Sequence, residues 1–318
     1  MSKNKYLLLT PVIILLIAIS GGCGQPETLE PEVTAPEDEL TDEAADDESR
    51  VFGEISATTP DLHGEIEIEG LGAFTFDPGE IQTVRNDIFR EGYFSIFDVL
   101  VHLQNTDQID IDYSFDEEMN TYVINSLDGH TGWWYDAYYD GGWRERSVFR
   151  MDHYPYKDEM YLKMVRQSEE HLESIYETYR QEIKRKNDND GIIIVPEVII
   201  EGKNENLSFE NVEVKAHKLR KDMFQPGVVT AIDTILSLAE EGKISYDLQW
   251  YESIGTAGVV KSYWVNRINE DESQGRCGFV YEAGDEAFYF FRGNHNHIPS
   301  DVRVINSPEY VKYFWICI

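Results

Sequence analysis

An eight-residue segment near residue 85 recurs near residue 220, and this repetition constrains the fold more than any other feature of the chain. Arg85-Asn86-Asp87-Ile88-Phe89-Arg90-Glu91-Gly92 reappears as Arg220-Lys221-Asp222-Met223-Phe224-Gln225-Pro226-Gly227, an offset of 135 residues. The same offset carries Ser95 to Thr230, Asp98 to Asp233 and Leu103 to Leu238. A slightly longer one carries Tyr122-Val123-Ile124-Asn125 to Tyr263-Trp264-Val265-Asn266, and the endings match in pattern, Met160–Val165 against Tyr313–Ile318. Chance could supply one such match. Several in the same order mean an internal duplication, so the fold must be one that the chain builds twice.

Each repeat reads alike. Short strands come first, Gly64–Glu69 and Ala73–Phe76, with period-two alternation; their counterparts are Gly191–Ile200 and Leu207–Phe209. One helix follows, with Ser95 or Thr230 as N-cap and Asp98 or Asp233 at the third helical position, as in a capping box. Ile96, Val99, Leu100 and Leu103 line one face of the first helix. Strands at Ile109–Tyr113 and Thr121–Asn125, an aromatic hairpin at Trp133–Trp143 and a closing strand complete the unit. Between the repeats, Leu172, Ile175, Tyr176, Tyr179 and Ile183 fall at helical spacing with charge on the opposite face, which predicts a linker helix packed on one repeat. The predicted class is α+β.

The order of one helix, an Asn-centred strand (Val123-Ile124-Asn125), Gly132-Trp133-Trp134-Tyr135, a turn at Asp140-Gly141-Gly142 and a Tyr-rich closing strand resembles the transcobalamin-type C-terminal domain. The resemblance covers about residues 93–165; the second repeat matches less well, Cys277-Gly278-Phe279 replacing Trp-Trp-Tyr. It implies two tandem β-grasp-like domains, each with one helix on a mixed sheet, joined by the linker helix. It also implies a surface module whose relatives include cobalamin carriers. The separate helical barrel of those carriers has no counterpart in this chain, so the resemblance speaks to fold more than to ligand.

The N-terminus has the layout of a secretory signal: Lys3 and Lys5, an apolar run over Tyr6–Ile19, then Ser20-Gly21-Gly22-Cys23. Small residues directly before a cysteine resemble the lipobox of bacterial lipoproteins, with Ser20 where that pattern usually has an aliphatic residue. The resemblance implies a diacylglyceryl group on Cys23. Residues 24–50 are rich in acids and proline and without aromatics, so they read as an extended tether. The expected organisation is a signal over 1–22, lipidated Cys23 and tether over 23–50, a first repeat over 51–166, a linker helix over 167–190 and a second repeat over 191–318. The expected location is extracytoplasmic, held to the membrane by lipid.

With 60 acids against 27 Lys and Arg, the formal charge is -33. Such a surface repels nucleic acid, whose binding needs cations to displace counterions. It also repels anionic headgroups, so the lipid must supply the membrane attachment. The acids are spread along the chain rather than gathered as ligand sets, and no metal or cofactor is expected. Cys277 and Cys317 are either bridged, as an oxidising compartment permits, or separate buried thiols.

No nucleophile elbow, zinc-peptidase motif or paired-carboxylate pattern is present, so an enzyme is not expected. His295-Asn296-His297 reads as a loop, and Gly255–Ser262 lacks the glycine a phosphate loop needs before Lys-Ser. Arg85 with Asp87, and Arg220 with Asp222, read as structural pairs. The ligand-binding candidates are Trp133, Trp134, Tyr135, Tyr138, Tyr139 and Trp143. Alternation splits them between two faces, and a small domain buries one. The other would offer flat aromatic surface to a partner, unless the rings simply pair across strands. The expected function is a binding or interaction module. A small flat ligand such as a corrinoid, or an envelope protein, is the expected partner; a purely structural envelope spacer is the alternative.

Overall fold

Alternation decides the first strands. In β1 (Gly64–Ile68), Ile66 and Ile68 are buried while Glu65 and Glu67 face outward. It pairs antiparallel with β2 (Gly72–Phe76). The computed structural model describes residues 64–139, 143–145, 149–254, 258–285 and 297–317; the signal, Cys23 and the tether lie outside them. Helix α1 (Ile96–Asn105) begins in a complete capping box: Ser95 Oγ accepts from the Asp98 N–H, and the Asp98 carboxylate accepts from the Ser95 N–H. Its apolar face enters the core with Ile66 and Ile68. A hairpin of β3 (Ile111–Asp116) and β4 (Thr121–Leu127) follows, with a bulge at Asp112/Tyr113. Then come β5 (Trp133–Tyr139), β6 (Trp143–Glu145) and β7 (Tyr161–Arg166). The sheet order is β2-β1-β7-β5-β6, with β1 and β7 parallel.

Helix α2 (Glu169–Asp188) leads into the second half. There β8 (Ile194–Glu201) and β9 (Asn206–Glu213) precede α3 (Asp233–Glu240). Next are β10 (Tyr246–Tyr251), β11 (Ser262–Ile268), the two-residue β12 (Asp271–Glu272), β13 (Cys277–Gly284) and β14 (Tyr310–Cys317). The second large sheet runs β9-β8-β14-β13 with β8 and β14 parallel, the same arrangement as β2-β1-β7-β5. Hairpin β10–β11 carries its bulge at Asp247/Leu248, 135 residues after that of β3–β4. The protein is thus α+β, with three α-helices among the described residues.

The register corrects two details of the sequence reading. The Tyr135 hydroxyl donates to the Phe149 carbonyl at 2.8 Å, and the Tyr281 hydroxyl to the Ile298 carbonyl at 2.6 Å. Phe279-Val280-Tyr281, not Cys277-Gly278-Phe279, therefore stands in place of Trp133-Trp134-Tyr135. Tyr135 pairs with Met164 and Tyr281 with Tyr313, so the closing strands correspond at an offset of 149, four fewer than the ending pattern suggested.

The repeated octet builds the junction between the two halves. Phe89 and Phe224 form an antiparallel bridge. The Arg90 N–H donates to the Met223 carbonyl at 2.9 Å, and the Gln225 N–H to the Ile88 carbonyl at 2.8 Å. Side chains repeat the exchange: Arg90 Nε donates to the Phe224 carbonyl, and Gln225 Nε2 to the Phe89 carbonyl. Each copy does to the other what the other does to it, which is the pattern of a two-fold interface. The chain then turns at Arg90–Tyr93 and Gln225–Val228, each closed by an N–H to carbonyl bond across four residues. Gly92 (φ 87°) and Gly227 (φ 95°) occupy the third position, where a type II turn needs positive φ; that is why both copies of the octet end in glycine.

Two buried clusters make up the core: one lies wholly in the second repeat, around Val198, Ile235 and Val311, and the other crosses the junction. Met223, Phe224, Ile298, Val302 and Val304 belong to the same buried cluster as α1 and β1. Residues 59–318 cluster as one compact unit, so the two-domain arrangement expected from the sequence is not confirmed. The linker helix serves both halves, not one. Leu172, Ile175 and Tyr179 join the first core, whereas Arg185 Nε donates to the Ser307 carbonyl and its Nη2 to Asp285, at 2.9 and 2.5 Å.

Phe89 is fully buried with its ring 5.7 Å from that of Phe224. Phe89→Ala should cost about 3–5 kcal/mol, and Phe224→Ala a similar amount. Denaturant unfolding of both variants should remain a single transition, and the pair should couple by about 0.5–1.5 kcal/mol in a double-mutant cycle. Two separate transitions in the wild type would show that the halves do not share a core.

Candidate functional site

Each octet opens with an arginine clamp. Every N–H of the buried Arg85 guanidinium is placed: Nε and Nη2 on Asp87, Nη1 on Asp152 and the Asn120 carbonyl, and Nη2 also on Asn120 Oδ1. Phe115 covers the guanidinium with its ring centroid 5.4 Å away. Arg220 repeats this with Asp222, Asp301 and the Trp250 ring, also at 5.4 Å. Burial opposes charge on both arginines, but their carboxylates outweigh it, and both pKa values rise. With its donors spent, Arg85 is a structural residue.

The two carboxylates beneath the clamps have diverged. Asp152 accepts from Thr121 Oγ1 (2.5 Å), the Tyr122 N–H (3.2 Å) and the ring of His153. Burial alone would raise it; His153, Arg85 and Thr121 together hold it below the carboxylate range. Asp301 accepts through Oδ2 from Arg220 and the Tyr263 N–H, and burial leaves it raised.

Beside the first clamp the junction opens into a cleft of about 230 Å³. Arg85, Asp87, Asn120 and His153 come from the first repeat, Lys186 from α2, and Pro226–Val229 and Val304–Asn306 from the second. The two-fold pattern shows why the opening is on this side. The Tyr156 N–H bonds the Phe94 carbonyl as the Ile305 N–H bonds the Val229 carbonyl. Tyr93, Phe94 and Tyr156 are therefore the counterparts of Val228, Val229 and Ile305. On their side, Tyr156 stacks on Phe94 with centroids 5.1 Å apart and the Tyr93 hydroxyl reaches Asp222 at 3.4 Å. Three aromatic rings thus stand where the cleft side has three aliphatic side chains.

The cleft has its own polar groups. His153 Nδ1 meets Asp152 Oδ1 at 3.0 Å, and burial pushes its pKa down to about 4, so the ring is neutral with its proton on Nδ1. Nε2 is then a lone-pair acceptor, buried and without a partner. The Asn306 amide nitrogen is likewise buried and without a partner. Lys186 Nζ lies 3.5 Å from Asn306 Oδ1.

Around α2 lies a second group of buried charges. Arg150 pairs with Glu182 and lies over the Tyr179 ring at 4.2 Å, and Arg303 stacks on Phe149 at 3.6 Å. Glu145 accepts from the His297 and Ile298 N–H groups at 2.8 and 2.7 Å. Burial pushes both Glu145 and Asp285 up to about 7.

Of the two readings of the aromatic hairpin, the one without an open face holds for the residues whose side chains are described. Trp133, Trp134 and Tyr135 are buried and Tyr138 is half-buried. Trp133 Nε1 donates to the His130 carbonyl at 2.7 Å, Trp134 meets Tyr176 of α2 at 6.2 Å, and Tyr138 meets Tyr161 at 5.3 Å. Helix α2 covers the second face of the sheet, so no open aromatic face is left at these three positions. The side chains of Tyr139 and Trp143 lie outside the described residues, as do Cys23, His295 and Asn296. Cys277 and Cys317 form a disulfide in register between β13 and β14. Among the described residues no group of three His, Cys, Asp or Glu could hold a metal ion, and no helix is long and apolar enough to cross a membrane. Sequence reasoning missed His153, Lys186 and Asn306. The offset of 149 sets His153 against Val302 and Asn306 against Lys157, and that divergence was the available signal.

No protein-family model matches this chain, and no curated protein or solved structure is detectably similar to it.

Trp133→Ala and Trp134→Ala should each lower stability by about 3–5 kcal/mol, since both rings are core. A near-neutral result for either, in urea unfolding, would restore an exposed aromatic face. Glu145 gives a pH prediction. Its raised pKa means the folded state holds a proton that the unfolded state releases. The stability this contributes is present below about 4.5 and lost as pH rises through about 7. Glu145→Gln keeps an acceptor for both N–H groups without the charge. It should match wild type near pH 4 and exceed it at pH 8 by roughly 3 kcal/mol. Equal slopes of stability against pH would refute this.

Proposed function

We propose that this chain is a lipid-tethered, extracytoplasmic binding module in which two β-grasp-like repeats hold a small-molecule cleft between them. The observation that carries the reading is the one-sided opening of the junction. Val228, Val229 and Ile305 stand where the two-fold counterpart has Tyr93, Phe94 and Tyr156. Close packing is the rule for protein interiors, and on the counterpart side the same backbone pattern carries the larger Tyr93, Phe94 and Tyr156. The open side is also lined by the polar side chains of Arg85, Asp87, Asn120, His153, Lys186 and Asn306.

The β-grasp reading is supported by a single helix per repeat and by the recurring order β2-β1-β7-β5 and β9-β8-β14-β13. The tether rests on Ser20-Gly21-Gly22-Cys23 and the acidic segment behind it. Two acyl chains suffice for stable attachment where a highly acidic surface gives none. A flat ligand stacked on the Trp133–Trp134 hairpin is not carried forward, because those rings are buried.

Cells fed an alkyne fatty acid should label the wild type, and Cys23→Ser should lose the label and release protein to the medium. Label retained by Cys23→Ser would refute the tether. For the cleft, Val228→Trp refills the open side. A metabolite library screened by thermal shift should contain compounds that stabilise the wild type and not Val228→Trp, since a ligand that binds only the native state raises its stability. Equal shifts in both proteins, or none in the wild type, would count against the cleft.

A further inference from the structure

In a chain with 60 acids an exposed cation readily finds a carboxylate, as Lys184, Lys215 and Lys243 do. Three that do not stand together. Arg90 of the first repeat and Lys218 and Lys221 of the second are exposed, line one hollow of about 40 Å³, and take part in no ion pair among the described residues. Arg90 Nε donates to the Phe224 carbonyl at 2.9 Å. That bond holds the guanidinium and leaves Nη1 and Nη2, the fork that meets two oxygens of one anion, without a protein acceptor. The other polar side chains of the wall are already bonded within the chain. Arg220 is balanced by Asp222 and Asp301, Asp233 has both oxygens taken by His217 and Thr230, and Gln225 donates to the Phe89 carbonyl.

The two-fold relation shows that these charges are not structural. The counterpart of Arg90 is Gln225, which makes the same backbone bond without charge. The counterpart of Lys221 is Asn86. Lys218 has none. The Val84 N–H meets Asp98 Oδ1 at 2.7 Å as the His217 N–H meets Asp233 Oδ1 at 3.0 Å. Between that point and the arginine the second repeat therefore carries two extra residues, Lys218 and Leu219. The same junction is built once with three positive charges and once with none at those positions.

We infer that this hollow binds a phosphoryl group, as free phosphate or as the head of a phosphate monoester. Two of its oxygens meet the Arg90 fork, and the ammonium groups of Lys218 and Lys221 balance the second charge. Three unpaired cations suit a dianion better than a carboxylate. A hollow of this size takes a head group and leaves any organic body outside, against Pro226 and Val228. Repulsion from the rest of the acidic chain is screened beyond about 8 Å at physiological salt, so the local trio decides at contact. None of the three cations lines the cleft described above, and the site stands whether or not that cleft holds a ligand.

The test is isothermal calorimetry on the detergent-solubilised full chain with inorganic phosphate, glycerol 3-phosphate and acetate at matched ionic strength. Phosphate or its ester should bind saturably with a Kd of about 1 mM or tighter, and acetate about tenfold more weakly or worse. The tighter of the two phosphates identifies the source, and either supports the site. Arg90→Gln and Lys221→Asn install the residues that the counterpart positions already carry, and each should weaken phosphate binding about tenfold. Lys203→Asn removes an equal charge from an exposed position elsewhere and should leave binding unchanged. If Arg90→Gln does not fold, Lys221→Asn decides alone. Saturable binding of neither phosphate, acetate binding as tight as phosphate, phosphate binding unchanged in Lys221→Asn, or equal weakening in Lys203→Asn would overturn the assignment.

Discussion

The pairing of the buried Arg85 with buried Asp152 and exposed Asp87, and of the buried Arg220 with buried Asp301 and exposed Asp222, is the constraint on which the rest of the structure hangs. A desolvated guanidinium is tolerable only when its donors are matched, and removing one partner of such a pair typically costs about 3–5 kcal/mol. Matching them forces the chain to turn at residues 85–89 and 220–224, where the Ile88, Phe89 and Met223, Phe224 N–H groups fold back on the arginine carbonyls. The turn leaves the Ile88–Arg90 and Met223–Gln225 backbones facing one another. The electrostatic requirement within each repeat thereby fixes the hydrogen-bonding edge between them.

A junction built by one motif meeting its own copy begins symmetric, yet its surroundings here are not. Both copies must keep the clamp, the bridge and the glycine turn, since these are structural. The residues just beyond the turn are under no such demand. On one side they are large and aromatic; on the other they are aliphatic, and a histidine, a lysine and an asparagine line the same cleft. The same division appears beneath the clamps, where Asp152 is fully hydrogen-bonded and held low while Asp301 keeps one oxygen without a partner.

How much of this was readable in the chain follows from the range of each signal. The Ser95–Asp98 cap, the alternation of Ile66 and Ile68, the faces of α1 and α2 and the duplication itself are local or self-referential, and each was legible. The burial of Trp133 and Trp134 was not, because it depends on where α2 lies, and nothing in the hairpin encodes the position of a helix 40 residues downstream. That the first repeat's core takes in Met223, Phe224 and Ile298 from the second was hidden for a similar reason. An octet repeated inside one chain looks identical whether its copies stabilise separate domains or each other. The cleft residues carry no motif, and they stand out only when the two repeats are aligned at the right offsets and read for difference instead of likeness.

The disulfide has a mechanical meaning. Cys277 opens β13 and Cys317 closes β14, opposite one another in the ladder, and β14 lies between β13 and β8. A pull on the C-terminal end would ordinarily peel β14 away one hydrogen bond at a time. Here the load passes through sulfur to Cys277 before any rung of that ladder is stretched. The segment between the two cysteines includes Val304, Ile305 and Asn306, one wall of the cleft. While the bridge is intact, a proteolytic or unfolding machine that grips this end cannot thread the wall away as a single strand; it must draw in a closed loop.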